Sequence, residues 1–343
     1  MRQIKLDEGK LLDQNGNLIQ AGYHTSLVKE YRRGAIKAPK LKIKEWDYYY
    51  VGNSKFGIAL TIADNSYMGL VTVSVMDFVN QTFRNKSAIS MFPMGKTNLP
   101  QTSKLGNVSV RTRSLDIRFL NDGKKRQLVC KMKNFEKGQD FSCDILLFNE
   151  PSESMVIATP FDKPRHFYYN QKINCLKATG KATVGTKFYN FDVEQSFGVL
   201  DWGRGVWPYS NVWYWSSASG VLKDGRTVGF NLGYGFGDTS HATENMVFLN
   251  GRAYKTEQVT FHIPKNDNGK FDYLEPWRFS SSDRKIELTF TPVLDRSSKN
   301  NLLLIYSDQH QVFGKFNGTI IAGDEIIQIR DLMGFAERVV NRY

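Results

Sequence analysis

Apolar and polar residues alternate with a period of two along many short runs of this chain, and that pattern confines most of it to sheet. The runs "KLKIKEWDYYYV", "KFGIALTIA", "YMGLVTVSVMDF", "VSVRTRSLDIRFL", "KRQLVCKMKNF" and "FSCDILLF" are each of strand length. Between them lie "GNS", "ADNS" and "NDGK", residue types that tolerate the positive φ of tight hairpin turns. Stripes with a 3.6-residue period are scarce. At most one or two short helices are expected, one of them within "GFAERVVNRY" at the C-terminus. A meander of this many strands must protect its edges, and a sandwich or a barrel does so.

An internal repeat bears on that choice. Counted from Gly198, "FDVEQSFGVLDWGRGVW" has an acid at the third position, Asp201, and an aromatic at the ninth, Trp207. Counted from Gly334, "IQIRDLMGFAERVVNRY" has Glu337 and Tyr343 at the same places. Upstream, Phe191 and Val193 match Ile327 and Ile329, and the pairs Gly180-Lys181 and Gly314-Lys315 precede them. Self-similarity of this kind marks duplicated units. Two β units are expected, residues 1–205 with a basic N-terminal segment and residues 206–343, each ending in the same closing strand.

The strings "LKIKEWDYYYV", "IADNSYMGL", "DWGRGVWPYSNVW", "GFNLGYGFGDTSHATENMVFLNG" and "DLMGFAERVVNRY" resemble the bacterial proteins grouped as domain of unknown function 2804. That family implies no assigned activity. More distantly, the duplicated closures are similar to tandem lipocalin-like proteins of the carotenoid hydratase and Diels-Alderase group. The fold expected is therefore all-β, two tandem lipocalin-like (calycin-like) antiparallel barrel or half-barrel units with few short helices. That link rests on fold-level analogy and transfers no catalytic residue.

Composition narrows the function classes. The chain has 343 residues and three cysteines, Cys130, Cys143 and Cys175, with no CxxC or Cys/His metal spacing, which suits a reducing compartment. No run approaches the ~18 apolar residues of a membrane span, and none reads as a signal peptide. A cytoplasmic protein, with room for peripheral membrane contact, is the expectation. The five histidines are scattered without HxH or HxxxH spacing, no G-x-S-x-G elbow appears, and "GYGFGDTS" is not followed by the helix a phosphate loop needs. No metal and no cofactor are implied.

Residues 1–150 hold 24 Lys and Arg against 14 Asp and Glu, whereas residues 151–343 hold 22 against 20. The densest basic run, "KEYRRGAIKAPKLKIKEW", carries Lys29, Arg32, Arg33, Lys37, Lys40, Lys42 and Lys44, whose side chains are expected to be exposed. Such a run suits a solvated strand edge, an anionic membrane surface or nucleic acid. No RNP aromatics, helix-turn-helix pattern or zinc spacing supports nucleic acid.

Chemistry concentrates in two segments. Residues 197–220, "FGVLDWGRGVWPYSNVWYWSSASG", hold four of the six tryptophans. Alternation puts Trp213 and Trp215 on one face and Tyr214 on the other. Trp207, Asn211, Trp213, Trp215, Asn231 and Asn245 are expected to contact an apolar or amphipathic small molecule inside a barrel, since indoles offer flat walls and an N–H donor. In "DWGRG", Gly203 and Gly205 are expected to bend the chain so that Asp201 pairs with Arg204 or another arginine. Asp201, Arg204, Glu337 and Arg338 are thus expected to close the units structurally. The second segment, "GDTSHATEN", offers His241 and Glu244 as an acid/base pair, against the plainer reading of a self-capping turn. The function expected is binding of that small molecule, with cofactor-free lyase or isomerase chemistry. The alternatives are a lipid-binding or membrane-surface protein and, less favoured, a nucleic-acid binder.

Overall fold

A computed structural model describes residues 3–302 and 305–342. Two large antiparallel sheets dominate it, one drawn from residues 22–206 and one from residues 210–342. Among the described residues there is no α-helix, only two single 3₁₀ turns, Arg33–Ala35 and Lys40–Lys42. The two sheets are the curled half-barrels of tandem lipocalin-like units.

Each sheet closes in the same way. In the first, Phe197–Val206 lies between Ile43–Gly52 and Phe167–Val184. In the second, Glu325–Arg342 lies between Ser210–Val221 and Ile305–Ala322. The last strand of each unit thus inserts between its first long strand and its penultimate long one. The expected C-terminal helix is this strand: residues 334–342 pair on both sides, and Val339 and Val340 favour the pleated surface. Pairing to two neighbours overrides a weak local preference.

The registers test the repeat residue by residue. Asp201 lies opposite Tyr48 and Lys172, and Glu337 lies opposite Trp215 and Gln311. Gly198 and Gly334 hold matching places, opposite Val51 and Ala218. Tyr343 falls outside the described residues. The upstream match shifts, because the counterpart of Gly180 is Gly318 rather than Gly314. Gly180 faces Phe191 and Gly318 faces Ile329. Both have positive φ, +129° and +134°. A Cβ on either would strike a neighbouring strand's carbonyl, that of Asp144 or of Glu287, so only glycine fits. Phe191 therefore matches Ile329, with two more residues before Gly198 than before Gly334.

Two apolar cores fill the units, one around Leu60, Ile117, Phe167 and Trp202, the other around Phe230, Phe279, Phe290 and Phe316. Two further clusters draw residues from both units, Tyr48, Tyr50 and Val199 with Trp215, Phe313 and Phe335, and Tyr168 and Trp207 with Phe236 and Met246. The units thus share a packed junction.

The basic run is not the exposed strip expected. Lys29 and Lys44 are buried, and Arg33 is committed to Glu45 and Asp64. Lys37 and Lys40 remain exposed, with Lys42 half-buried. Once the run folds as a 3₁₀ turn leading into an interior strand, alternation buries part of it.

Candidate functional site

The first long strands of the two units carry the same pattern, Trp46 and Tyr48 in one, Trp213 and Trp215 in the other. Period-two alternation turns all four toward the junction. The Tyr48 and Trp215 rings meet edge to face with centroids 6.0 Å apart. Beside them lies a cavity of about 260 Å³ between the units. Trp46, Tyr168, Trp207, Trp213, Trp215 and Phe236 form its aromatic walls. Trp46 stacks on Tyr168 at 5.9 Å, and Trp207 meets Trp46 and Phe236 edge-on, each at 4.9 Å. Gly203, opposite Trp46 in the ladder, leaves room for that indole, whose ring occupies the space a Cβ would need.

Both closure acids reach the cavity, in unlike company. Asp201 Oδ1 accepts a hydrogen bond from Asn170 Nδ2 at 2.6 Å and lies 3.0 Å from Lys172 Nζ. The Lys172 ammonium also sits 4.0 Å over the Trp215 ring. Glu337 has no such cation in contact among the described residues: Oε1 accepts from Trp213 Nε1 at 2.7 Å and Oε2 from Gln311 Nε2 at 2.9 Å. Burial pushes the Glu337 carboxyl up to about 7, against the Trp213 hydrogen bond and the more distant Lys172 and Arg296 charges.

Glu244 lines the same cavity, and burial raises its carboxyl, opposed mainly by Lys172. Asn231 ties it to the wall: Nδ2 donates to the Glu244 carbonyl at 2.9 Å, while Oδ1 accepts from Trp215 Nε1 at 2.7 Å. Burial pushes the Tyr48 hydroxyl up to about 12, and Arg296 anchors to Ser74 Oγ at 2.7 Å. Three acids, a lysine and an arginine thus face a space walled by rings, where low dielectric strengthens every charge interaction.

Of the residues expected to touch a ligand, Trp207, Trp213 and Trp215 line this cavity. Asn231 stands directly behind Trp215 and Glu244. Asn245 instead binds Gly233 N at 2.7 Å and the Glu257 carbonyl at 2.8 Å, and Asn211 donates to the Pro208 carbonyl at 3.3 Å. His241 is exposed, with Nδ1 3.1 Å from Ser240 Oγ, so the structure does not bring it together with Glu244 at the cavity.

Asp201 and Arg204 do not pair. "DWGRG" runs inside the straight strand Phe197–Val206 rather than through a turn, so positions three apart point to opposite faces. Arg204 faces the interior of the first unit, 2.9 Å from Asp47, and donates to the Trp46, Gly203 and Pro100 carbonyls. Glu337 and Arg338 divide likewise: Arg338 donates to the Tyr214 and Tyr273 hydroxyls, away from the cavity. Lys172, Gln311, Arg296, Tyr48, Tyr168, Trp46 and Phe236 escaped the sequence reading. Aligning "EWDYYYV" with "VWYWSSA" as the repeat's first strands would have found Trp46 and Tyr48.

The family described as domain of unknown function DUF2804 matches the chain over residues 1–343. The chain belongs to that family. No curated protein matches this DUF2804 chain. Among solved structures it is similar to a Nitrosomonas europaea protein provisionally named AttH. The identity is 14%, with 87% of this chain and 92% of that one covered and a TM-score of 0.54, which shows a shared fold. It also aligns with kievitone hydratase from Nectria haematococca, at 11% identity, 100% and 98% coverage and TM-score 0.47. CghA aligns at 9% identity, 98% and 97% coverage and TM-score 0.44. Among the described residues no helix is long and apolar enough to cross a membrane.

Proposed function

We propose that this DUF2804 protein binds an apolar or amphipathic small molecule in the junction cavity and moves a proton on it, as a cofactor-free lyase or isomerase. The observation that carries the reading is Glu337, a carboxyl with no direct cationic partner set among flat aromatic walls. An acid poised near neutrality is the best proton donor or acceptor at that pH. Asp201, held by Lys172 and Asn170, is its counterpart, placed to stabilise charge developing on the ligand. Two acids with environments this different fall naturally into two roles. Glu244 is a third candidate, whereas His241, out on the surface, is set aside.

Native mass spectrometry of protein purified from its own cells identifies a retained ligand. With that ligand, Glu337→Gln should lower turnover by about 10²–10⁴, the usual worth of general acid/base help, while the ligand is still retained. Unchanged turnover in Glu337→Gln would remove Glu337 from the chemistry. Loss of retention together with unchanged turnover would contradict the whole reading.

A further inference from the structure

The strand Thr82–Met91 is the outer edge of the first sheet, paired only to Met68–Asp77. Its end and the loop beyond it expose a run of large apolar side chains. Ile89 is 63% exposed, Met91 68%, Phe92 58% and Met94 36%. Monomeric proteins seldom leave several such residues together in water without a use for them.

The loop is not slack. Phe92 N donates to the Tyr67 carbonyl at 3.0 Å, and Met94 N to that of Ser66 at 3.2 Å. The buried Asp64 Oδ2 accepts from Gly95 N at 2.8 Å and Thr97 Oγ1 at 2.9 Å. Phe92 and Met94 both have positive φ, +50° and +53°, which side chains of this kind rarely adopt. A rigid frame therefore holds apolar groups outward in a costly backbone conformation, a combination that belongs to interaction sites.

The surroundings are basic. Ser66 Oγ donates to the Ile43 carbonyl at 2.9 Å and accepts from Arg33 Nη2 at 2.8 Å. These bonds bring the 31–44 segment against the loop. That segment has no carboxylate, and its 3₁₀ turn presents Lys40, Lys42 and the 50% exposed Leu41. In residues 91–100 the one charged residue is the exposed Lys96.

We propose that this rim, Leu41, Met91, Phe92 and Met94 with Lys40, Lys42 and Lys96, docks on an anionic lipid bilayer. The apolar side chains enter the headgroup region while the lysines meet lipid phosphates, the two-part attachment peripheral proteins need. Asn65 and Leu70, on the hairpin that holds the loop, line the junction cavity, so docking would set the cavity's rim toward the membrane. The docking surface stands whether or not the cavity is catalytic.

Flotation of the whole chain with vesicles of phosphatidylcholine, alone or with a quarter phosphatidylserine, tests it. The parent should bind the anionic vesicles about tenfold better or more at low salt, each lysine adding on the order of fivefold, with the preference fading near ~300 mM salt. Phe92→Asn with Met94→Asn should cut binding about tenfold on either vesicle, by loss of buried apolar surface. Asparagine accepts positive φ, so this variant should melt no lower than the parent. Ile326→Asn, at an exposed apolar residue of the second unit, should bind as the parent does. The proposal fails if the parent shows no preference for anionic vesicles, if the asparagine pair binds undiminished, or if Ile326→Asn loses as much. It also fails if nucleic acid displaces the vesicles, or if sedimentation reveals a dimer that the asparagine pair dissolves without changing vesicle binding.

Discussion

The two closing strands occupy the same place in their sheets and carry their acids three residues past matched glycines, yet they give those acids unlike partners. In the first unit Asp201 meets a lysine from the neighbouring strand; in the second, Glu337 meets a glutamine at the corresponding position. Asp201 has a lysine and an asparagine beside it where Glu337 has a glutamine and an indole N–H. The two closures share their backbone geometry, and the side chains packed around each acid make them chemically unlike. Equivalent backbone positions thus need not carry equivalent chemistry, because a buried carboxyl takes its state from what stands within hydrogen-bond reach.

The largest effect should come from breaking the charged half. Lys172→Met leaves Asp201 buried beside Asn170 without its cation, which should cost about 3–5 kcal/mol in urea unfolding. Gln311→Met removes a neutral partner from Glu337 and from the Tyr48 hydroxyl and should cost about 1–2 kcal/mol. Adding Asp201→Asn to Lys172→Met should restore much of the loss, because the uncompensated charge is then gone. Equal costs for Lys172→Met and Gln311→Met would erase the distinction between the halves.

The neutral half should show itself in the pH dependence of stability. Glu337 titrates near 7 in the folded chain and near 4.5 when unfolded, so the folded state holds the extra proton between those values. Stability should be full below about pH 4.5 and fall by about 3 kcal/mol as pH rises through 7. Glu244, raised by burial, adds a fall of the same sign. Lys44 and Lys255, pushed down to about 7, act above that value and in the opposite direction. Unfolding midpoints at pH 5 and pH 7 should therefore differ less in Glu337→Gln than in the parent. An undiminished slope in that variant would place the proton elsewhere.

How much of this was legible in the sequence follows from what alternation can and cannot encode. Period two put Trp213 and Trp215 on one face, and spacing matched Asp201 to Glu337, because both are properties of single strands. The partner of Asp201 is Lys172, on a strand 29 positions away in sequence, and register across a ladder is set by turns and by the bulge between Ile173 and Leu176. Arg204, three residues off, was the wrong partner because glycines in "DWGRG" suggested a bend. One of them instead makes room for Trp46. The cavity was expected inside a barrel, but the interiors are filled by Phe230, Phe279, Phe167 and their neighbours. The aromatic faces that remained could meet only across the junction. Two of the seven basic side chains are buried rather than exposed for a similar reason, Lys44 because its strand is covered on both faces.

The smallest effect sharpens the comparison within the second unit. Trp213 gives Glu337 an N–H that favours the ionised carboxylate, and Trp213→Phe removes that donor while keeping a ring in the wall. The Glu337 carboxyl should then climb above about 7 by roughly half a pH unit, the share one hydrogen bond takes of such a shift. The counterpart in the first unit is Trp46, whose ring stacks on Tyr168, and no hydrogen bond joins it to Asp201 among the described residues. Trp46→Phe should therefore leave the Glu337 carboxyl where it is. The measurement is the pH titration of the ¹³C-labelled side-chain carboxyl of Glu337, assigned by its disappearance in Glu337→Gln. A shift in Trp213→Phe but not in Trp46→Phe would show that Glu337 answers to its own hydrogen-bond donor rather than to the aromatic wall as a whole. Equal shifts in the two variants would mean that the junction responds as one aromatic medium, and the assignment of separate roles to Asp201 and Glu337 would lose its basis.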